Sequence, residues 1–284
     1  MEIKWNYKNQ DKIFDTIDGA GVPFLSFKAL DETGMVTNGF STRLGGASRG
    51  KFATMNFSYN RKDEPADVLE NFTRMAKALN VDRDRMVVSY QTHTVNVRRV
   101  TEADEGKGVI RKRDYKDVDG LITDVPGLTL VTFYADCVPL YLVDPVHRAV
   151  GLSHSGWRGT VKRMGQVTLE AMEEAFGTKP EDVIAAIGPS ICKDCFEVGE
   201  EVVKEFEAAF DESRHRELWS PGARPGKYQL DLWRANGIIL REAGVKPENI
   251  HITNICTMCN SDYLFSHRRV GEERGNLAAF LCIR

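Results

Sequence analysis

The chain has 284 residues, 42% of them hydrophobic and 28% charged, with a net charge of −3. These are ordinary globular proportions, and the length suits one large domain or two small ones. The near-neutral charge lacks the basic excess that a nucleic-acid-binding face requires, so no nucleic-acid partner is expected.

The opening stretch, MEIKWNYKNQDKIF, has no basic start followed by an apolar core, so it does not read as a secretory signal. No run approaches the ~18 apolar residues of a membrane span. Six cysteines in this length are too few for a disulfide-rich secreted scaffold. The expectation is a cytoplasmic protein with reduced thiols and no membrane partner.

Residues 1–35 carry scattered aromatics, Trp5, Tyr7, Phe14, Phe24 and Phe27, and are expected to add an edge strand or two. Asn38 to Gly46 then joins a short apolar segment to a glycine turn. Adjacent Gly45 and Gly46 permit positive φ and close backbone approach. Arg43, just ahead of them, either reaches an anion or caps the loop, and the residues by themselves favour capping. Glu64 to Leu79 predicts a helix, with Pro65 in its first turn and Val68, Phe72, Met75 and Leu79 on one apolar face. Met86 to Val100 predicts a strand pair or one long bent strand carrying Gln91-Thr92-His93. Thr101 to Lys116 is charged and without periodicity, and reads as a flexible flap. Order resumes at Asp117 to Thr123, with Asp119-Gly120 read as a turn.

Residues 128–160, LTLVTFYADCVPLYLVDPVHRAVGLSHSGWRGT, organise the rest of the chain. The runs Leu128 to Tyr134, Leu140 to Val143 and Ala149 to Leu152 predict buried strands. Between the first two sits the polar knot Ala135-Asp136-Cys137. The third ends in His154-Ser155-Gly156-Trp157-Arg158-Gly159. Functional side chains thus stand where strands stop. Beyond this stretch, helices are predicted over 160–176, 198–210 and 231–243, and strands over 183–187, 249–256 and 277–283. With no linker, repeat or composition shift, residues 1–284 read as a single α/β (α+β) domain, a mixed β-sheet flanked by helices.

Three candidate chemistries follow. His93, Cys137 and His154 together offer two imidazoles and a thiolate, the three-ligand pattern of a catalytic zinc with one open position. Their spacing alone favours ordinary core residues, because no short-range ligand pair is present. Asp136 in an apolar run pulls the other way, since a carboxylate there needs a partner. Cys192-x-x-Cys195 and Cys256-x-x-Cys259 have ligand spacing within each pair, but the pairs lie about sixty residues apart. Four reduced thiols at loop ends is the plainer reading, with a redox-sensitive first pair or a shared metal left open. A Cys-His hydrolase built on Cys137 or Cys256 ranks low, because Cys137-Val138-Pro139 is not a helix entry. The basic clusters Arg111-Lys112-Arg113 and His267-Arg268-Arg269 read as solvated loops or local anion sites.

The segments FSTRLGG (40–46), QTH (91–93), DGLIT (119–123), ADCVPL (135–140), HSGWRGT (154–160), IGPSI (187–191), CFEVG (195–199), CT (256–257) and FSHRR (265–269) occur in this order. In that order they resemble the YfiH/YlmD family, long named for a laccase or polyphenol-oxidase activity. Two positions depart from it: Ser155, where the family often has Ala, and Phe196, where Tyr is common. The resemblance implies a zinc enzyme of purine nucleosides. It would phosphorolyse adenosine, inosine, guanosine and methylthioadenosine and deaminate adenosine, with His93, Cys137 and His154 as metal ligands. On that basis Asp136 is the candidate proton shuttle, or else a residue orienting a ligand histidine. Arg43 is the first candidate for phosphate, and Arg158 the second, with stacking on Trp157 as its other reading. Two alternatives stand beside this one, a copper-dependent polyphenol oxidase and a non-catalytic zinc-stabilised interaction protein. Copper is the less favoured metal, because multicopper sites need many histidines. The chain has six, and no His-x-His pair.

Overall fold

The computed structural model of the protein describes residues 3–284. Its helices stand beside mixed sheets, and the expected mixed sheet occurs twice. The first sheet contains β1 (Phe14–Gly19), β2 (Val22–Phe27), β3 (Val36–Ser41), β4 (Met86–Val88), β7 (Thr129–Tyr134) and β15 (Leu277–Ile283), in the order β1-β2-β3-β15-β7-β4. The second contains β5 (Val97–Arg99), β6 (Gly120–Thr123), β8 (Val138–Asp144), β9 (Ala149–Ser155), β10 (Ile184–Ile187) and β14 (Ile250–Ile252), in the order β14-β10-β8-β9-β6-β5. A small third sheet joins β11 (Glu197–Gly199), β12 (Trp219–Pro221) and β13 (Lys227–Leu230). Parallel pairing is confined to β4 with β7, β5 with β6 and β10 with β14; the other pairs are antiparallel.

Period-two alternation explains why the central runs are apolar throughout. In β8, Tyr141 and Val143 face a core shared with Leu130 and Tyr134 of the first sheet. Val138, Leu140 and Leu142 face the opposite way, toward helices 164–176 and 232–242. In β7, Leu130 and Tyr134 enter the shared core, while Val131 packs under helix 65–79 with Phe72 and Met75. The two sheets therefore face each other, each backed by helix, and a strand buried on both faces has no polar side. Tyr141 and Tyr134 carry their hydroxyls into this core and donate them across it, to Gly39 O at 2.9 Å and Ser153 O at 3.0 Å.

Helix boundaries fall within a few residues of the sequence reading, with one break. The helix expected over 160–176 is two, Trp157–Val161 and Met164–Phe176. Arg163 between them is left-handed at φ 60, which no helix interior tolerates. The segment read as a flexible flap is tied down: Lys107 is buried and bridges Asp104 and Asp114, each at 2.8 Å, while Arg98 reaches Asp104 at 3.1 Å. Asp104, Lys107 and Asp114 thus pair with one another, and Glu105 pairs with Arg85 outside the segment. Among the described residues, no helix is long and apolar enough to cross a membrane.

Candidate metal centre and active-site cleft

The residues expected to form a strand pair or one long bent strand, 86–100, form two short strands and pass from the first sheet to the second. Gln91-Thr92-His93 lies in the crossing between β4 and β5. Ala135-Asp136-Cys137 is the second such crossing, between β7 and β8. His154 stands one residue from the end of β9. Each crossing holds a non-glycine residue in the left-handed region, His93 at φ 64 and Asp136 at φ 94. Backbone held there concentrates at sites that the surrounding fold over-determines.

The fold brings together what the spacing left open. Ligand atoms of His93, Cys137 and His154 lie within 4.8 Å of one another, and the two imidazole rings meet edge to face with centroids 4.9 Å apart. Gly156 makes room for them. A Cβ at that position would stand 2.9 Å from His93 Nδ1 and 3.1 Å from Cys137 Sγ. Two nitrogens and a sulfur converging on a space kept open by glycine fit a zinc-type ion.

Asp119 holds this arrangement, a role the sequence reading missed. Its carboxylate, fully buried just before β6, accepts five hydrogen bonds: from the amides of Thr92 (2.9 Å), His93 (3.1 Å) and Thr94 (3.0 Å), from the Thr94 hydroxyl (3.1 Å) and from His154 Nδ1 (2.8 Å). It thereby shapes the His93 crossing and fixes the His154 tautomer, leaving Nε2 as the free ligand atom. Burial by itself would raise the Asp119 carboxyl, but His154 and the surrounding amides hold it below the usual carboxylate range. Burial would likewise lower His154, yet the neighbouring Cys137 sulfur and Asp119 push it up to about 9. Burial, and then the charge of His154, push His93 down, toward the neutral form that ligates.

The triad opens into a cleft of about 660 Å³, within the range that takes a small organic ligand. Asp136 lines it beside Cys137 and accepts two short hydrogen bonds, from the Thr257 hydroxyl and the Arg268 amide, each at 2.6 Å. It does not touch a ligand histidine; that contact belongs to Asp119. Arg158 lines the cleft as well, and its guanidinium stacks on Trp157 at 4.2 Å. Arg43 lies apart from the cleft-lining residues. Its guanidinium donates to Ala53 O (3.0 Å) and Ser261 O (3.1 Å) and covers the Phe265 ring at 4.6 Å. This is the loop-capping arrangement.

Arg61, Arg113, Arg268 and Arg274 also line the cleft. Arg113 and Arg268 come from the two basic clusters noted in the sequence; Arg61 and Arg274 carried no sequence signal. Arg274 is buried and its Nε has no hydrogen-bond partner. Burial, and then the repulsion of Arg61, push its guanidinium down to about 10. Two cations near each other, one with an unused donor, want an anion. Glu272 answers one of them, through Arg61.

Comparison with known proteins agrees with the sequence motifs. The family described as "Multi-copper polyphenol oxidoreductase laccase" matches residues 37–284. Purine nucleoside phosphorylase YlmD of Bacillus subtilis is 35% identical over 250 residues, 87% of this chain and 88% of that protein. A protein named adenosine deaminase RL5, from an unknown prokaryotic organism, is 36% identical over 243 residues, 83% of this chain and 90% of its own. The crystal structure of the hypothetical protein YfiH of Bacillus licheniformis superposes with a TM-score of 0.89 at 30% identity, covering 96% of this chain and all of that one. By its motifs, its fold and these relatives, the chain belongs to the YlmD/YfiH family.

Proposed function

We propose that this protein is a zinc-dependent purine nucleoside enzyme that phosphorolyses adenosine, inosine, guanosine and methylthioadenosine and deaminates adenosine. The observation that carries the reading is the meeting, in one cleft of nucleoside size, of a two-nitrogen, one-sulfur ligand set with a wall of arginines. The names of the relatives supply the substrate class.

Bound by His93, Cys137 and His154, a zinc ion supplies Lewis acidity and the means to activate water near neutral pH. The protein's own groups do the rest. Asp119 engages Nδ1 of His154, so that Nε2 is the nitrogen turned to the metal position. Asp136, beside Cys137, is placed to carry a proton to departing ammonia or to the departing base. Each of its oxygens accepts one hydrogen bond and keeps a lone pair for that transfer. Phosphorolysis needs an anion held against C1′. Arg61 and Arg274, which line the cleft, are better candidates for it than Arg43, which lies outside the lining and donates from Nε and Nη1 to Ala53 O and Ser261 O. Tyr90, Trp157 and Phe196 line the same cleft and offer faces for a purine.

A copper oxidase is harder to build from these side chains. Only two of the six histidines enter a ligand group among the described residues. The deciding experiment incubates metal-analysed protein with adenosine, with and without phosphate. Adenine and ribose 1-phosphate should appear only with phosphate, and inosine in both. Oxygen uptake with phenols and no nucleoside turnover would instead make it an oxidase. Bound metal with neither activity would make it an interaction protein.

A further inference from the structure

We propose that Cys192, Cys195, Cys256 and Cys259 form a second metal site, a tetrathiolate that takes one thiophilic divalent ion of the zinc type. The four sulfurs, separated in sequence, all lie within 4.8 Å of one another. A single tetrahedral ion with Zn–S arms of ~2.3 Å places its sulfurs ~3.8 Å apart. An iron–sulfur cluster hangs its cysteines on different iron atoms and spreads them wider. All six cysteines are free thiols, and Cys195 Sγ and Cys259 Sγ stand 3.5 Å apart, too far for a disulfide.

Local structure explains why they converge. β10 and β14 pair in parallel, so the chain leaves both strands at the same sheet edge, where Ser190 bridges Cys256. Cys192 opens a single turn ending at Cys195, and Cys256 and Cys259 repeat the same two-residue spacing. The surroundings suit thiolates. The Cys192 amide donates to Cys256 Sγ at 3.3 Å. Lys8 places its ammonium near Cys192 and Cys259 while pairing with Asp194 at 3.1 Å. Four thiolates around a divalent ion keep two negative charges, which a nearby lysine partly offsets. Cys192 and Cys256 are buried, Cys195 and Cys259 half-buried, so the site is shielded yet can be reached.

The ion would fasten the loop that carries the cleft-lining Ile191 and Phe196 to the loop behind it that holds Thr257. Thr257, between Cys256 and Cys259, donates to Asp136; the Ile191 amide, next to Cys192, donates to Asp136 O at 3.0 Å; and Arg268 donates to Cys195 O at 3.2 Å. The second site is thus a positioning device behind Asp136, with no direct part in turnover.

Metal content tests it independently of the nucleoside chemistry. Protein produced in zinc-supplemented medium and purified with reductant should hold two zinc ions per chain by elemental analysis. Cys137→Ala should retain one, and so should Cys195→Ser/Cys259→Ser. Cobalt exchanged into Cys137→Ala should bind at one per chain and show the intense visible bands of a tetrathiolate. That measurement decides the matter if the double cysteine variant fails to fold. A Cys137→Ala protein free of zinc and giving no tetrathiolate cobalt spectrum overturns the proposal. A Cys195–Cys259 disulfide found by mass spectrometry in reduced, native protein does the same. Either result leaves the first site standing.

Discussion

Replacing Asp119 with Asn tests the site at its most connected point. The shape is preserved, but an amide keeps one oxygen where the carboxylate had two. Oδ1 now serves the His93 amide and His154 Nδ1; Oδ2 serves the Thr92 and Thr94 amides and the Thr94 hydroxyl. Whichever oxygen becomes NH₂, at least two donors face a donor. The conflict with His154 at Oδ1 is relieved only by moving its proton to Nε2, which puts a hydrogen where the metal should bind, and the His93 amide still faces a donor. Hydrogen bonds to a charged group are worth ~1.5–3 kcal/mol each, so losing two costs ~3–6 kcal/mol. At ~2 °C per kcal/mol in a chain of this size, Tm of the metal-free variant should fall by roughly 6–12 °C. Metal affinity should drop by ~10- to 100-fold, as for other groups that orient a ligand histidine. Competition with a chromophoric chelator and a thermal melt on one preparation measure both. An Asn variant with wild-type affinity and unchanged Tm refutes this account of the clamp.

Four further outcomes follow from the same geometry. Gly156→Ala keeps an allowed backbone, φ −71, but drives a methyl toward His93 and Cys137; the fold should survive while metal affinity measured by chelator competition falls at least tenfold. Arg274→Gln or Arg61→Gln should raise the phosphate KM by roughly ten- to a hundredfold, the loss of one charge-assisted contact, and leave deamination nearly intact; Arg43→Ala should lower both rates equally and lower Tm. Asp136→Asn should retain the metal and lose ~10²–10⁴ of the deamination rate, the usual contribution of a proton shuttle, read as zinc content and inosine formation on the same sample. The depressed Asp119 carboxyl contributes stability that is present above its unfolded value and lost as pH falls through the lower folded one. Acid titration of the metal-free protein should therefore lose stability below about pH 4, and Asp119→Asn should flatten that slope.

Local pattern made the elements legible but not their partition. Strand runs at 129–134, 138–144 and 149–155, and helices at 65–79, 200–209 and 232–242, follow periodicity that any window can read. Nothing in the window around residue 135 shows that the runs on either side belong to different sheets, because sheet membership is decided by pairing with β15 and β10, far along the chain. β4 and β5, three residues each, carry too few side chains to announce two strands in two sheets. Asp119 was hidden by a stronger local signal. Asp-Gly marks a turn, and here the glycine starts β6 while the carboxylate is buried among donors. The basic clusters at 111–113 and 267–269 were visible, but which arginine of each would face inward was not.

The placement of the site has a mechanical consequence. His93 and Cys137 stand on the two crossings that lead from the first sheet to the second, and His154 lies at the end of β9 of the second, so an ion bound to all three joins the sheets at one end. Asp119, leading into β6, holds the first crossing and the β9 histidine together even without the ion. Any ligand that binds only the folded state stabilises it by mass action, and at a junction between layers the segments it restrains are those that separate first when the sheets part. The four cysteines repeat the device one sheet edge away, where β10 and β14 end side by side. Asp136 lies between the two, adjacent to Cys137 in sequence and hydrogen-bonded to Thr257. Its position is thus set from both sides, as the proton transfer proposed for it requires.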